Sequence, residues 1–218
     1  MFLLVKIVSS SVKQRASSRA KLLDAAFTVV RQKGFAATSV DEICVAAGVS
    51  KGAFFHNFTS KEAMAVDAAK HWSEMTSALV NGAHYHSLAD PLDRVMGYLD
   101  FRSVLLTGPV EKFTCLAGTM VQETYRSSDA IRAACASSML DHIKGLTADL
   151  AAAIEARGLI AVSAEGLALH TQVVLQGAFV LAKATGGPQV ARESVDHLKH
   201  YFRLLFSRET LTQKGNVS

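Results

Sequence analysis

The chain has 218 residues, of which 50% are hydrophobic, 19% charged and 7% aromatic, enough for one or two domains with a sizeable core. That apolar share excludes a disordered chain, and 14 glycines with three prolines exclude collagen-like or low-complexity sequence. The charge is uneven: residues 1–61 hold nine Lys/Arg against Asp24, Asp41 and Glu42, a net of +6, whereas residues 62–218 carry a net of −2. A basic head on a near-neutral body suits polyanion binding by one part and a different task for the other.

Thirty-three alanines bias the chain toward helix. Cys44, Cys115 and Cys135 are odd in number and widely spaced. They suit neither a disulfide framework nor a zinc site, and they point to a reducing, cytoplasmic setting. No membrane segment is expected, because the longest uncharged apolar stretch, Gly166 to Ala182, carries His170, Gln172 and Gln176 and is short for a span. The opening Met1–Val8 resembles a signal core only superficially. No basic stretch precedes it, Lys6 interrupts it, and no small-residue cleavage site follows. Residues 1–17 read as a loose arm, an over-long start to the chain, and residues 209–218 as a frayed tail.

Between those ends the periodicity is helical throughout and no segment reads as a strand. A first helix runs from Ser18 to Lys33, with Leu22, Leu23, Ala26, Phe27 and Val30 on one face, and Gly34 ends it. Ser39 caps a second, Glu42 completing a capping box, and Gly48 interrupts it. Ser50 caps a short third helix through Phe58. Thr59 and Glu62 form another capping box and open a fourth helix to about Ala83. His84 to Asp90 is turn-like. Pro91 starts a fifth helix that Gly108-Pro109 stops, and Phe113 to Tyr125 forms a sixth. A long seventh covers Asp129 to Arg157, an eighth Ser163 to Thr185 and a ninth Pro188 to Arg208. The eighth is apolar nearly all round, and the ninth repeats Val195, Leu198, Phe202 and Leu205. Such wide apolar faces suggest burial against a second subunit, with Phe179, Val180, Leu198 and Phe202 at the contact. The fold class is all-α, about nine helices in two units, 18–64 and 65–208.

The segment Thr38 to Lys61 carries the function. Two short helices meet at a tight turn where Gly48 supplies the left-handed conformation, Cys44 is small enough for a close crossing, and Val49 and Phe54 fill the angle. This is a helix-turn-helix, whose second helix presents its N-terminal residues to base edges in the major groove. Those residues are small or basic: Ser50, Lys51, Gly52 and Ala53, with His56 and Asn57 one turn on.

Residues 18–64 resemble the DNA-binding domain of the TetR family of bacterial transcriptional regulators. The resemblance lies in Leu22-Leu23-Asp24-Ala25-Ala26, Gly34-Phe35, Thr38-Ser39-Val40, Ile43, Ala47-Gly48-Val49-Ser50-Lys51-Gly52 and Phe58-Thr59-Ser60-Lys61-Glu62. It implies a homodimer on a palindromic double-stranded operator, and a C-terminal domain that binds an inducer and dimerises through its last two helices. It also implies phosphate contacts from Thr38, Ser39 and Lys61. Two positions depart from the pattern. Phe55 stands where a tyrosine usually offers a hydroxyl to phosphate, and Cys44 replaces an alanine.

Other motifs yield to this reading. Gly48-Val49-Ser50-Lys51-Gly52 matches the G-x-S-x-G elbow of hydrolases, but that elbow needs a strand before it. An enzyme is not expected, nor a cofactor. His71, His84 and His86, or His197 and His200, lack the partners that complete a metal site. Cys115 resembles in its place a sensor cysteine of a repressor in the family. It opens an alternative, a regulator gated by thiol oxidation or electrophiles without a reversible inducer, provided the thiol is reachable and acidic. The effector pocket is expected to draw on Met75, Met96, Leu99, Cys115, Met120, Tyr125, Gln172 and Gln176. Their apolar bias implies a small hydrophobic or aromatic ligand.

Overall fold

A computed structural model describes residues 17–160 and 162–207. The expected arm up to Ala16, Arg208 and the expected tail lie outside the described residues. Eleven α-helices and one short 3₁₀ turn (His84–Ser87) form two stacked units with no strand among the described residues.

The head follows its local signals closely. α1 (Ser18–Lys33) is capped by Ser17, whose Oγ accepts from the Ala20 N–H, and stops at Gly34, φ +89°. α2 (Val40–Ala47) carries the complete Ser39–Glu42 capping box. Gly48 adopts the left-handed conformation, φ +63° and ψ +38°, and turns the chain into α3 (Lys51–Asn57), capped by Ser50. Leu22, Leu23, Ile43 and Phe54 are all but fully buried between the three helices. Each such burial contributes about 1.5–3 kcal/mol, so the short helices owe their stability to packing rather than to length. Cys44 is buried at the crossing, as its size requires.

α4 (Lys61–Asn81) joins the head to the body. Its cap is Ser60, accepting from the Ala63 N–H, and not Thr59; Glu62 instead accepts a hydrogen bond from the Ser128 hydroxyl. The head's core does not end at the expected boundary near residue 64. Met64, Ala65, Ala68 and Ala69 share one apolar cluster with Leu116, Met120, Ile131 and Cys135 of the body.

In the body, α5 spans Pro91–Leu105, with Asp90 as its cap. The expected sixth helix is two pieces, α6 (Val110–Phe113) and α7 (Leu116–Thr124), broken at Thr114 with Cys115 as the cap of α7. The expected seventh is also two, α8 (Asp129–Asp141) and α9 (Lys144–Ala156), broken at His142 and Ile143. α10 (Ala164–Thr185) and α11 (Gln189–Ser207) close the bundle. By length and composition α10 is enough to cross a bilayer, contrary to the expectation. Its inner face, including Leu175, Ala178 and Phe179, is nevertheless core packed on α9 and α11.

The last two helices correct the dimer assignment. Phe179, Leu198 and Phe202 are no more than 5% exposed and belong to the chain's own core. Of the four expected contact residues only Val180 faces outward. The exposed apolar face is Leu169, Val173, Val180 and Leu181 on α10 with Tyr201 and Leu204 on α11.

Candidate nucleic-acid interface and effector cavity

The outer surface of the helix-turn-helix is formed by the start of α3. Ser50, Lys51, Gly52 and His56 are exposed, with Ala53 half-buried behind them. Ser50 Oγ is occupied as the cap, accepting from the Ala53 N–H at 3.1 Å. Asn57 is half-buried and donates its amide to the Ala53 carbonyl at 2.7 Å. Phe55 projects beside His56, more than half exposed. An aromatic ring kept in water at the head's outer face offers stacking or methyl contact where the family pattern offers a hydroxyl.

The expected phosphate contacts separate into three kinds. Ser39 is exposed at the start of α2, sharing Glu42 through its backbone and hydroxyl. Thr38 is buried at 1% exposure and donates its hydroxyl to the Gly34 carbonyl at 2.6 Å, so it holds the α1–α2 link and cannot reach a phosphate. Lys61 is half-buried: its Nζ donates to the Phe35 carbonyl at 2.6 Å and lies 4.3 Å from the Phe35 ring centroid. Burial lowers its pKa, and the charges of Glu123 and Glu42 partly restore it.

Two exposed cations of the head are held by acids. Lys51 pairs with Asp41 at 2.9 Å and Lys33 with Glu42. The bond from Lys33 and those from Ser39 hold the Glu42 carboxyl down at about 2. Both pairs are solvent-exposed, so they are weak and yield readily to a competing polyanion.

The body holds a cavity of about 200 Å³, partly open to solvent, between α4, α5, α6 and the α8–α9 break. Trp72, Met75, Leu79, Leu105, Leu106 and Phe113 give it apolar walls, and Arg31, Arg102, Lys112 and His142 give it polar ones. A smaller hollow of about 50 Å³ shares the Trp72, Arg102, Phe113 and His142 walls and adds Cys115, Gln172 and Gln176. A cleft of about 190 Å³ lies behind Cys115, lined also by Thr119, Glu123 and Lys183.

Arg102 Nη1 donates to His142 Nε2 at 3.0 Å. Burial first, and the neighbouring guanidinium second, push the His142 pKa down to about 4, so the ring is neutral and accepts. Arg31 comes from α1, part of the head. It donates to the Phe27 carbonyl at 2.7 Å and to the Thr114 carbonyl at 3.2 Å, and its guanidinium stacks 4.7 Å from the Trp72 ring centroid. Burial pushes its pKa down to about 10. The head is further fastened to the body by Gln32 donating to Glu111 at 3.1 Å and by the Ala36 N–H donating to Glu123 at 2.6 Å.

Of the expected ligand residues, Met75, Cys115, Gln172 and Gln176 line these spaces. Leu99 and Met120 are closed core, Met96 is packed against the core, and Tyr125 is more than half exposed at the end of α7, away from the cavity. Cys115 is half-buried, its Sγ accepting from the Gly118 N–H at 3.3 Å. Burial raises the pKa of Cys135 to about 12 and that of Cys44 as well, which leaves both as inert core thiols. The residues that sequence reasoning missed are Arg31, Trp72, Arg102, Phe113 and His142. A signal existed for Arg102 and His142. Arg102 follows Val95, Tyr98 and Leu99 in an apolar stripe, and His142 follows Cys135 and Met139 in another. A polar group at a core position marks a cavity.

Comparison with known proteins agrees with both halves. Residues 22–68 match the model of "Bacterial regulatory proteins, tetR family". The chain is 42% identical over 50 residues to the HTH-type transcriptional repressor KstR2 of Rhodococcus jostii, covering 23% of this chain and 24% of that one. It is 38% identical over 56 residues to the HTH-type transcriptional regulator YerO of Bacillus subtilis, covering 26% of this chain and 19% of that one. The matched stretches thus span about a quarter or less of these relatives. The whole fold resembles the crystal structure of regulatory protein TetR from Rhodobacter sphaeroides, with a TM-score of 0.76 at 21% identity over 85% of this chain and 99% of that one. The head thus matches the tetR family model in sequence over residues 22–68, and the chain as a whole shares the fold of a solved TetR regulatory protein.

Proposed function

We propose that this protein is a ligand-responsive transcriptional regulator, a repressor, that binds a palindromic operator as a homodimer in the cytoplasm and leaves it when an effector fills the cavity of the body. The observation that carries the reading is Arg31. One side chain of the DNA-reading head forms part of the cavity wall, so an occupant of the cavity touches the head directly. α4 adds a second link, running from Ser60 beside the recognition helix to Trp72, Met75 and Leu79 on the cavity wall.

In this reading Ser39 and Lys61 contact phosphates, the latter after leaving the Phe35 carbonyl. The start of α3, with Lys51, Gly52, Ala53 and His56, reads base edges. Two heads engage one palindrome only when they sit about 34 Å, one helical turn, apart. The dimer forms through the exposed apolar face of α10 and α11, from Leu169 to Leu204, by a two-fold contact.

A protection assay on the DNA flanking the protein's own gene tests this. The expected result is a symmetric footprint whose affinity falls steeply with salt. Binding that is equal on random duplex and insensitive to salt contradicts it. Lys61→Ala should weaken all duplexes alike, whereas His56→Ala should change the preference among them.

A further inference from the structure

The cavity's charge is one-sided. Arg31, Arg102 and Lys112 line it and no carboxylate does. Arg102 makes no ion pair among the described residues. Its polar contact is a neutral imidazole, and its face lies 6.0 Å from the Tyr98 ring centroid and 5.9 Å from that of Phe179. Among the described residues Arg31 is hydrogen-bonded to carbonyls alone, and Glu111, which acts on it through space, is tied to Gln32 and stands outside the cavity lining. A half-buried guanidinium without a counter-charge is costly, and its planar fork suits a carboxylate in two parallel hydrogen bonds. Besides His142, the rest of the wall is apolar (Trp72, Met75, Leu79, Val80, Leu105, Leu106 and Phe113) except for Thr76, whose hydroxyl already donates to the Trp72 carbonyl at 2.8 Å.

We propose that the cavity takes an amphipathic organic acid, its carboxylate on the open side of Arg102 facing Arg31 and its apolar body against Trp72 and Phe113. The size bounds the body. A dry cavity of about 150 Å³ holds one benzene ring. The volume here, about 200 Å³, suits one ring with a short acid tail. This replaces the purely hydrophobic effector expected from the sequence and deepens the proposed function, on which it rests for its role as signal. It also gives the signal a route. A carboxylate drawn to Arg31 competes with the Thr114 carbonyl that ties α1 to the body.

The test uses the full chain and three matched probes: 3-phenylpropionate, 3-phenylpropanol and 3-phenylpropylamine. Binding is read from the fluorescence of Trp72, the single tryptophan. The acid should bind at least about tenfold tighter than the alcohol, the scale of charge-assisted hydrogen bonds, and the amine weakest of all. Arg102→Gln, which keeps an amide donor for His142, should bring acid and alcohol within about threefold. Arg102→Lys, which keeps the charge, should retain part of the preference. Equal binding of acid and alcohol overturns the proposal. So does tighter binding of the amine, failure of the acid to bind at millimolar concentration, or an unchanged preference in Arg102→Gln. A gel-shift arm separates the two readings: acid binding that leaves DNA affinity unchanged supports the ligand class and contradicts the effector role.

Discussion

The exposed surface of the head and the cavity of the body place charge in opposite ways. On the head's surface, Lys51 is met by Asp41, Lys33 by Glu42 and Arg19 by Asp67 at 2.8 Å, so each of these three is held until a stronger anion arrives. In the body, Arg102 stands half-buried beside a neutral histidine, with no acid on the cavity wall. The head's arrangement suits a partner that brings many phosphates at once, where weak exposed pairs are easily exchanged. The body's arrangement leaves one strong demand that a single small anion can satisfy. Under the proposed function, the difference separates a surface suited to a polymer from a pocket suited to a small molecule.

Core substitutions break the comparison most severely. Phe54→Ala removes a fully buried ring that supports α3 and should cost about 3–5 kcal/mol, lowering the thermal midpoint and abolishing DNA binding. The head shares its apolar cluster with α7 and α8. Thermal unfolding should therefore remain one transition in the variant; two well-separated transitions would show the head to be an independent unit.

The α10–α11 surface gives the next effect. Phe202 is fully buried and Val180 is 45% exposed on the same pair of helices. Phe202→Ala should lower stability by about 3–5 kcal/mol in a denaturant titration, whereas Val180→Glu should leave monomer stability within about 0.5 kcal/mol. The same Val180→Glu should shift sedimentation toward monomer. A stable dimer in that variant places the contact elsewhere.

His142 sharpens the body's side of the contrast. Its pKa is near 4 in the folded chain against the ordinary 6.5, so the unfolded state binds the proton first. Stability is unaffected above about pH 6.5 and falls as pH drops from there toward 4, by on the order of 3 kcal/mol in total. The head's Glu42 titrates lower, between its ordinary value of 4.5 and about 2, so the window from pH 6.5 to 4.5 isolates the histidine. His142→Gln should flatten the stability profile there; an unchanged slope assigns the acid sensitivity to another group.

Gly48 offers the smallest effect. Its φ of +63° costs an alanine about 1–2 kcal/mol, while a Cβ there meets nothing within 4 Å. Gly48→Ala should thus lose stability by backbone strain alone, and Gly48→Asn, which tolerates that conformation, should lose less. Equal losses in a thermal melt would mean that the strain argument is wrong.

How much was legible follows the range of the interactions. The capping box at Ser39 and Glu42, the stop at Gly34 and the turn at Gly48 are local signals, and the head follows them to within a residue or two. Ser60 rather than Thr59 caps α4 because two adjacent hydroxyls compete and the chain direction decides. The breaks at Thr114 and His142 carry no proline and no capping pattern that marks them in advance. Long-range partners sit at both, Arg31 on the Thr114 carbonyl and Arg102 on His142. The burial of Thr38 is local by contrast, its hydroxyl donating to the Gly34 carbonyl four residues back. α10 is apolar nearly all round, so its periodicity could not tell which side faces its own core, and Phe179 was placed outward with Val180.

In the proposed function the cavity and the DNA-reading face are coupled through Arg31 and α4. Titration of 3-phenylpropionate against the full chain, followed by Trp72 fluorescence with and without saturating operator DNA, tests it most directly. Linkage requires operator to weaken ligand binding by the same factor by which ligand weakens operator binding, about five- to 150-fold for a coupling of 1–3 kcal/mol. Matching factors in that range are the predicted result. A ligand that binds with the same affinity whether or not DNA is present contradicts the account.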